Sequence, residues 1–254
     1  MKTVSTEIIE IETGRLTYIR AGQGQDLVFF IHGLGCSKES FSYAWQEWEI
    51  PERYSICVVD LPGHGESVFP VDYPYTMQAY AETCGRLLNI IAANSIHIVG
   101  HSMGGAVGLL LIRKLQEKVQ SFISLEGNLC FEDCTVSRRI IGFEEQVFIK
   151  NVLPLSAGVF NCSPETKSPD PLPKALYRSA VSLVESSKSG DLLDIFLNSP
   201  PHKLYVHGER SAKPAVLQKL SNIGAISITG AGHFMMQDNR SDTYDAILSG
   251  IGAD

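Results

Sequence analysis

The sequence lacks any apolar run long enough to span a bilayer. Its first 14 residues, MKTVSTEIIEIETG, alternate apolar and polar side chains and lack the uninterrupted apolar stretch of a signal peptide. It also lacks a Lys/Arg-rich run, and with a formal net charge of -7 it offers no basic face for a nucleic-acid backbone or an anionic membrane surface. We therefore expect a cytoplasmic protein that has no nucleic-acid partner and does not insert stably into membranes.

Cysteine is sparse for a disulfide scaffold, with six residues in a chain of 254. No Cys-x-x-Cys pair indicates zinc, and the closest pair, Cys130 and Cys134, gives little reason to expect a disulfide or a metal site. We expect free, mostly buried thiols in a reducing compartment. The pattern predicts no metal site.

The sequence does contain a series of short, nearly continuous apolar segments, which are typical of parallel strands covered on both faces. Helix-like segments alternate with them, which predicts one α/β domain with a mostly parallel, doubly wound sheet. Two alternating segments on either side of Thr13-Gly14 predict an antiparallel hairpin at the sheet edge. The apolar segments are DLVFFIH (26–32), YSICVVD (54–60), SIHIVG (95–100), FISLEG (122–127), KLYVHG (203–208) and AISITG (225–230); the helix-like ones cover 76–93, 103–116 and 241–248.

The alternation is interrupted over residues 128–201, which show no clear strand pattern. Helical apolar stretches cover 140–155 and 175–186, and a Pro/Ser-rich loop covers 163–173. Because so long a structureless segment is unusual inside a compact domain, we predict a helical cap over 128–201, inserted into a core formed by 1–127 and 202–254.

The segment Gly100-His101-Ser102-Met103-Gly104 follows a predicted strand and opens a predicted helix. Gly-x-Ser-x-Gly in this context is typical of a tight turn that holds a serine hydroxyl above the strand ends, near a helix N-terminus that favours negative charge. The alternative is a plain strand–helix connection in which the glycines only allow close packing. We favour Ser102 as a nucleophile.

A serine nucleophile needs a base, because its hydroxyl is hardly ionised at neutral pH. His233 is the strongest candidate, since it lies in the glycine-rich segment TGAGHF directly after the last predicted strand. His32, His64 and His101 also lie near predicted strand ends, and we expect structural roles for them. Weaker candidates lie within or beside strands: His97, His202 and His207.

Negative charge on a tetrahedral intermediate needs hydrogen-bond donors. The backbone amide of Met103 directly follows the candidate nucleophile, and that of Leu34 lies in the loop after His32-Gly33. We predict that these two amides form an oxyanion hole.

Four segments of the chain together resemble the α/β-hydrolase family, and the resemblance extends from about residue 28 to 238. It implies the triad order serine, acid, histidine, which fits Ser102 and His233, and a cap after the sixth strand, where 128–201 lies. The four segments are HGLG (32–35), DLPGHGES (60–67), GHSMGG (100–105) and GAGHF (230–234).

The resemblance allows two positions for the triad acid. Most capped members carry it after the seventh strand in a pattern like Gly-Glu-x-Asp, but in YVHGERSAKP that aspartate position is Ser211. Some members carry the acid after the sixth strand, where Glu126 lies in LEGN. We favour Glu126 over Glu209, with Asp238 and the cap acids behind them.

These residues predict hydrolysis of a small-molecule ester or thioester through an acyl-serine intermediate, with no cofactor or metal. The same resemblance covers carbon–carbon bond hydrolases, lyases, haloperoxidase-like enzymes and small-molecule receptors with weak hydrolase activity. Apolar residues of the predicted cap would cover an acyl chain or aromatic group, or would pack the cap onto the core. They are Ile140, Ile141, Phe143, Val147, Phe148, Ile149 and Phe160.

Overall fold

The computed structural model describes residues 3–93, 95–152 and 169–252. Its strands are β1 (Val4–Ile11), β2 (Gly14–Ala21), β3 (Asp26–Ile31), β4 (Tyr54–Val59), β5 (Ser95–His101), β6 (Val119–Leu125), β7 (His202–Gly208) and β8 (Ala225–Ile228). They form one eight-stranded sheet in the order β1-β2-β4-β3-β5-β6-β7-β8. β1 and β2 form an antiparallel hairpin, β2 pairs antiparallel with β4, and the other pairs are parallel. The predicted sheet with its N-terminal edge hairpin is confirmed.

Helices cover the sheet. Three of them match the predicted helices 76–93, 103–116 and 241–248 to within two residues: α2 (Met77–Ile91), α3 (Met103–Leu115) and α10 (Arg240–Gly250). Within the described ranges, no helix is both long and apolar enough to traverse a bilayer. The helices are α1 (Ser42–Gln46), α2 (Met77–Ile91), α3 (Met103–Leu115), α4 (Thr135–Ile140), α5 (Glu145–Val147), α6 (Pro173–Lys188), α7 (Asp191–Asn198), α8 (Pro214–Lys219), α9 (Met235–Asp238) and α10 (Arg240–Gly250).

Alternate residues of the central strands pack into two apolar clusters, one on each face of the sheet. On β3, Phe29 packs with side chains of α2 and α3, whereas Phe30 packs with side chains of α1 and α10. Both faces of the parallel part are therefore buried, which explains why its strands are nearly continuous apolar segments.

Between the end of β6 and the start of β7, the described chain contains helices α4 to α7 and no strand. The helix predicted over 140–155 begins at the last residue of α4 and contains two separate elements, α5 and a π-helical turn at Phe148–Val152, and its last three residues lie outside the described residues. Hydrogen bonds hold α6 against α2: Met77 N donates to Ser182 Oγ at 3.0 Å, and Tyr80 Oη lies 2.6 Å from Ser179 Oγ.

The carboxyl ends of the parallel strands lie side by side at one edge of the sheet. Gly100 of β5 pairs with Ser124 of β6, and Leu125 of β6 pairs with Val206 of β7. The loops after these strands therefore converge, and open α/β sheets bind their ligands at such an edge.

The cysteines differ in part from the expectation. Cys57, Cys84, Cys130 and Cys134 are buried free thiols, but Cys36, in the loop after β3, is disulfide-bonded. Residue spacing carries no signal for such a bond, because the bond depends on where loops lie in the folded chain. The expectation of free thiols is wrong at Cys36, and the predicted reducing compartment loses this support.

Candidate active site

Ser102 lies in the sharp turn between β5 and α3, with φ 51° and ψ −119°. This conformation is unfavourable for a residue with a Cβ. The flanking glycines permit the turn: a Cβ on Gly104 would lie 2.1 Å from the Ile31 carbonyl oxygen, and one on Gly100 would lie 2.6 Å from the Gly104 carbonyl oxygen. The sequence between β5 and α3 thus forms the tight strand-to-helix turn that the Gly-x-Ser-x-Gly pattern predicts.

His233 lies in the loop after β8, and its Nδ1 is 2.7 Å from Oε2 of Glu126. Glu126 follows β6 directly and its side chain is almost fully buried, while His233 is partly exposed. A proton on Nδ1 donates to the carboxylate, which leaves Nε2 as an acceptor facing away from Glu126. The two candidate residues therefore form the acid–histidine pair that a serine nucleophile requires.

The second carboxylate oxygen of Glu126 is also bound. Oε1 accepts hydrogen bonds from Gly208 N, at 2.9 Å, and from the hydroxyl of Ser211. Burial opposes the charged form of Glu126 and would raise its pKa. The hydrogen bond and charge of His233 outweigh this effect, together with the hydrogen bonds from Ser211 and Gly208, so the pKa of Glu126 is lowered. Ser211, which stands where the family's usual acid would be, thus serves as a donor to Glu126.

The competing carboxylates have other partners. Glu209 is exposed and accepts a hydrogen bond from Gly230 N at 2.8 Å. Asp238 pairs with Arg210 at 3.1 Å. Within the described part of the chain, neither carboxylate is hydrogen-bonded to His233, so the geometry favours Glu126.

The three histidines expected to be structural are buried. His101 donates from Nε2 to the carbonyl oxygen of His233 at 3.0 Å, and burial lowers its pKa well below the ordinary value. His32 accepts at Nε2 from Leu61 N at 3.0 Å, and burial lowers its pKa to about 4. Burial lowers the pKa of His64 to about 3. Neutral histidines with these contacts brace the loops around the candidate site.

The loop after β3 lies against Ser102, since a Cβ on Gly33 would be 3.2 Å from Ser102 Cβ. Leu34, the next residue, lines the cavity at Ser102. Met103 N is the first amide of α3 and has no intrahelical acceptor. Within residues 3–93, 95–152 and 169–252, neither the N–H of Leu34 nor that of Met103 donates a hydrogen bond. Both amides are available to an oxyanion, and that role stays a prediction.

Asn128 is a site residue that sequence reasoning missed. Its Oδ1 lies 3.4 Å from Ser102 Oγ, and its Nδ2 donates to Asp133 Oδ1 at 2.9 Å, which fixes the orientation of the amide. Across the described residues, the Ser102 hydroxyl is hydrogen-bonded to Asn128 and not to His233. Asn128 follows β6 within LEGN, and that position after a strand is the signal that could have found it.

These side chains surround a cavity of about 280 Å³. Of the described residues expected to cover the substrate, Ile140, Ile141, Phe143, Val147, Phe148 and Ile149, none lines it, and Phe160 lies outside the described residues. Phe148 instead packs with Leu176 in a small cluster of its own, and Phe143 is exposed. The sequence allows two roles for these residues, covering the substrate or packing the cap onto the core. The described ones do not take the first, and Ile140 and Phe148, which lie in one cluster against Leu34 of the core, take the second. The cavity is lined by Gly33, Leu34, Cys36, His101, Ser102, Glu126, Asn128, Asp133, Cys134, Thr135, Val136, Ser137, Ser211, Lys213, His233 and Phe234.

Among the residues that the structure describes, no group of three or more His, Cys, Asp or Glu side chains is placed to hold a metal ion. The chemistry that the arrangement offers is nucleophilic attack by a serine, assisted by a histidine and a carboxylate.

Comparison with known families supports the same fold. A family model described as "alpha/beta hydrolase fold" matches residues 26–150. The chain belongs to the α/β-hydrolase family. A solved structure of a thermophilic esterase from Thermogutta terrifontis resembles this α/β-hydrolase with a TM-score of 0.74 and 20% identity, covering 97% of this chain and 98% of that one. At that identity the likeness shows the fold.

Two curated relatives match part of this α/β-hydrolase. The dihydrolipoyllysine-residue acetyltransferase component of the acetoin cleaving system from Cupriavidus necator is 30% identical over 137 residues, which are 54% of this chain and 36% of the relative. The pimeloyl-[acyl-carrier protein] methyl ester esterase from Aeromonas hydrophila is 32% identical over 114 residues, which are 44% of this chain and 41% of the relative. The chain thus spans well under half the length of either relative.

Proposed function

We propose that this α/β-hydrolase is a serine hydrolase that cleaves a small-molecule carboxylic ester or thioester through an acyl-serine intermediate. The observation that carries the proposal is the 2.7 Å hydrogen bond between His233 and Glu126, in the cavity that Ser102 also lines. The Aeromonas relative, named as a methyl ester esterase, supports this choice among the reactions known on the fold.

In the first half of the reaction, Ser102 Oγ attacks the carbonyl carbon and His233 Nε2 accepts the hydroxyl proton. The amides of Leu34 and Met103 stabilise the negative charge on the carbonyl oxygen. When the tetrahedral intermediate collapses, the bond to the leaving group breaks and His233 returns the proton to the departing alcohol or thiol. The acyl group remains on Ser102.

In the second half, water attacks the acyl-serine carbonyl carbon, and His233 accepts a proton from the water. Collapse releases a carboxylic acid and returns the proton to Ser102. Throughout, Glu126 keeps the Nδ1 proton in place and stabilises the imidazolium formed at each proton transfer. Its own hydrogen bonds to Gly208 and Ser211 hold the carboxylate at the required position.

Residues 128–201 act as a cap in this proposal. Within the described residues, this segment lines the cavity with polar or small side chains. They belong to Asn128, Asp133 and residues 134–137. A cavity of about 280 Å³ with such walls fits a short acyl group and a compact leaving group.

The direct test is labelling with a fluorophosphonate probe, which reacts with an activated serine. We expect the probe to label the wild-type protein on Ser102, and we expect Ser102→Ala to lose the label and to lower kcat for p-nitrophenyl acetate by about 10⁴-fold or more. Ser241→Ala, which changes an exposed serine, is the matched control and should keep both. Labelling that persists on another serine in Ser102→Ala would contradict the proposal.

A further inference from the structure

Lys213 contributes a positive charge to the candidate active site. It directly precedes α8, it is half-buried, and it is the only lysine or arginine among the described residues that line the cavity. A fixed cation beside a reacting centre selects for substrates by charge.

The ammonium of Lys213 is largely unpaired. It donates one hydrogen bond, to the Asp133 carbonyl oxygen at 3.2 Å, and a lysine has three donors. By contrast, Lys219 at the end of the same helix pairs with Glu132 at 2.8 Å, and buried Lys38 pairs with Asp60 at 2.9 Å. In the described part of the chain no carboxylate lies within ion-pair distance of Lys213.

The two carboxylates that line the cavity are bound by other groups. Asp133 accepts from Leu129 N at 2.8 Å, from Cys130 N at 3.1 Å and from the amide of Asn128. Glu126 is bound to His233, as described above. Among the described residues, neither carboxylate accepts a hydrogen bond from the Lys213 ammonium, although the charge of Lys213 attracts that of Asp133. The remaining donors of the ammonium are therefore available to a ligand.

Two hydroxyl groups line the same cavity and are also unused. Thr135 and Ser137, in the first turn of α4, have side-chain hydroxyls with no hydrogen-bond partner in the described residues. An ammonium with free donors beside free hydroxyls matches the requirements of a carboxylate, which accepts several hydrogen bonds and is bound most strongly by a cation.

We propose that Lys213 binds a free carboxylate of the substrate, so that this enzyme prefers esters carrying a second, ionised carboxyl group over neutral esters of the same shape. The inference rests on the proposed ester hydrolysis and adds the class of substrate. The carboxylate belongs either to the acyl part or to the alcohol part, and the two sources need separate tests.

The experiment compares kcat/KM within two pairs of esters. Monoethyl succinate against ethyl butyrate, followed by acid release in a pH-stat, tests a carboxylate on the acyl part. 4-Acetoxybenzoate against methyl 4-acetoxybenzoate, followed by release of the phenol, tests a carboxylate on the alcohol part. We expect a preference of about 10-fold or more for the anionic ester in one pair, because a hydrogen bond between charged groups in a partly buried site has that magnitude.

Lys213→Met keeps most of the side-chain volume and removes the charge. It should lower the preference by about 10-fold, mainly through a higher KM for the anionic ester, because the contact is present in bound substrate and transition state alike. Lys213→Arg, which restores the charge, should recover part of the preference. Lys219→Met is the matched control. Lys219 lies at the other end of α8 and braces the same turn, but it does not line the cavity.

Three results would overturn the inference, and the first two are wild-type protein that hydrolyses all four esters with no preference in either pair, and a preference that Lys213→Met leaves intact. The third is a preference that Lys219→Met lowers as much as Lys213→Met does. Both lysines brace the turn at residues 131–133, so the preference would then depend on that turn and not on the charge of Lys213. If no ester is hydrolysed and the fluorophosphonate probe does not label Ser102, the proposed function itself fails, and that outcome is distinct from the others.

Discussion

At the scale of single residues, the candidate nucleophile and acid both have a positive φ, which residues other than glycine rarely adopt. Five non-glycine residues in the described part of the chain have positive φ, and two of them are Ser102, at 51°, and Glu126, at 43°. Such conformations persist only where the surrounding structure enforces them, and they concentrate at functional sites. The ends of β5 and β6 thus hold both side chains in place at a cost in backbone energy.

The role of Glu126 leads to a prediction for Glu126→Gln. The glutamine keeps the shape of the side chain but cannot stabilise the imidazolium of His233 by charge, and its amide group permits the wrong tautomer of the ring. In well-studied triads the equivalent change lowers kcat by about 10⁴-fold. We expect a loss of that order for p-nitrophenyl acetate, with the thermal melting profile retained.

Two further variants make the assignment specific. Glu209→Gln should have little effect, because within the described residues the exposed Glu209 side chain accepts a hydrogen bond from Gly230 N and has none to His233. Ser211→Asp in the Glu126→Gln background should restore part of the activity, since Ser211 lies within hydrogen-bond distance of the position of the lost carboxylate. Near wild-type turnover of Glu126→Gln, together with a crippled Glu209→Gln, would move the acid to the loop after β7.

The residues that sequence could identify follow strands directly. Ser102, Glu126 and His233 each come within a few residues of a strand end, so parallel pairing brings them to one edge of the sheet. Lys213 and Cys36 could not be assigned in this way. Their roles depend on how separate loops pack against one another, and no spacing in the sequence encodes that packing.

At the scale of elements, close approach between β3, β5 and the start of α3 constrains the turn at Ser102. The Cβ of an alanine at Gly104 would meet the Ile31 carbonyl oxygen at 2.1 Å, and a main-chain carbonyl in a central strand cannot move aside. The glycines of GHSMGG are therefore required by packing, since none of the three has a left-handed φ.

This geometry predicts that Gly104→Ala destabilises the fold by about 3 kcal/mol or more, the upper range for a forced overlap in a packed core. Gly85→Ala is the control, because Gly85 also lies within a helix but its added Cβ would crowd the end of the flexible Lys114 side chain, at 3.0 Å, and would make an ordinary contact with Leu111 at 3.7 Å. Alanine is favoured over glycine in helices by about 1 kcal/mol, so Gly85→Ala should be neutral or stabilising. Urea unfolding measures both variants, and equal stability of the two would contradict the packing argument.

Element prediction from the sequence was least successful between β6 and β7. Apolar periodicity correctly indicated helix at α6, where one face packs on α2, but over 140–155 it predicted one helix where the structure has α5 and a separate π-helical turn, and it missed most of α4. Short helices carry few periods of the pattern, so a helix of three to six residues gives a weak signal. Which face of such a segment meets the cavity is decided by tertiary packing alone.

At the scale of the whole molecule, buried histidines make the free energy of unfolding depend on pH. His32 and His64 lie with ring centroids 5.3 Å apart beneath the candidate site, and burial lowers the pKa of His64 from its ordinary 6.5 to about 3. In the unfolded chain His64 binds a proton once the pH falls below its ordinary value, whereas in the folded protein it stays neutral until about pH 3. The unfolded state therefore binds more protons over this window, and acid destabilises the fold.

The last prediction measures this contribution. Between about pH 7.5 and about pH 5, protonation of His64 in the unfolded state alone should lower the free energy of unfolding by about 2 kcal/mol. His64→Gln has no titrating group at this position, so its free energy of unfolding should fall by about 2 kcal/mol less than that of the wild type over the same interval, whatever its stability at neutral pH. His202→Gln, at an exposed position, should match the pH dependence of the wild type. Urea unfolding at the two pH values decides the question: if His64→Gln and His202→Gln lose the same free energy on acidification, His64 is not held neutral by its burial, and the acid sensitivity of the fold has another source.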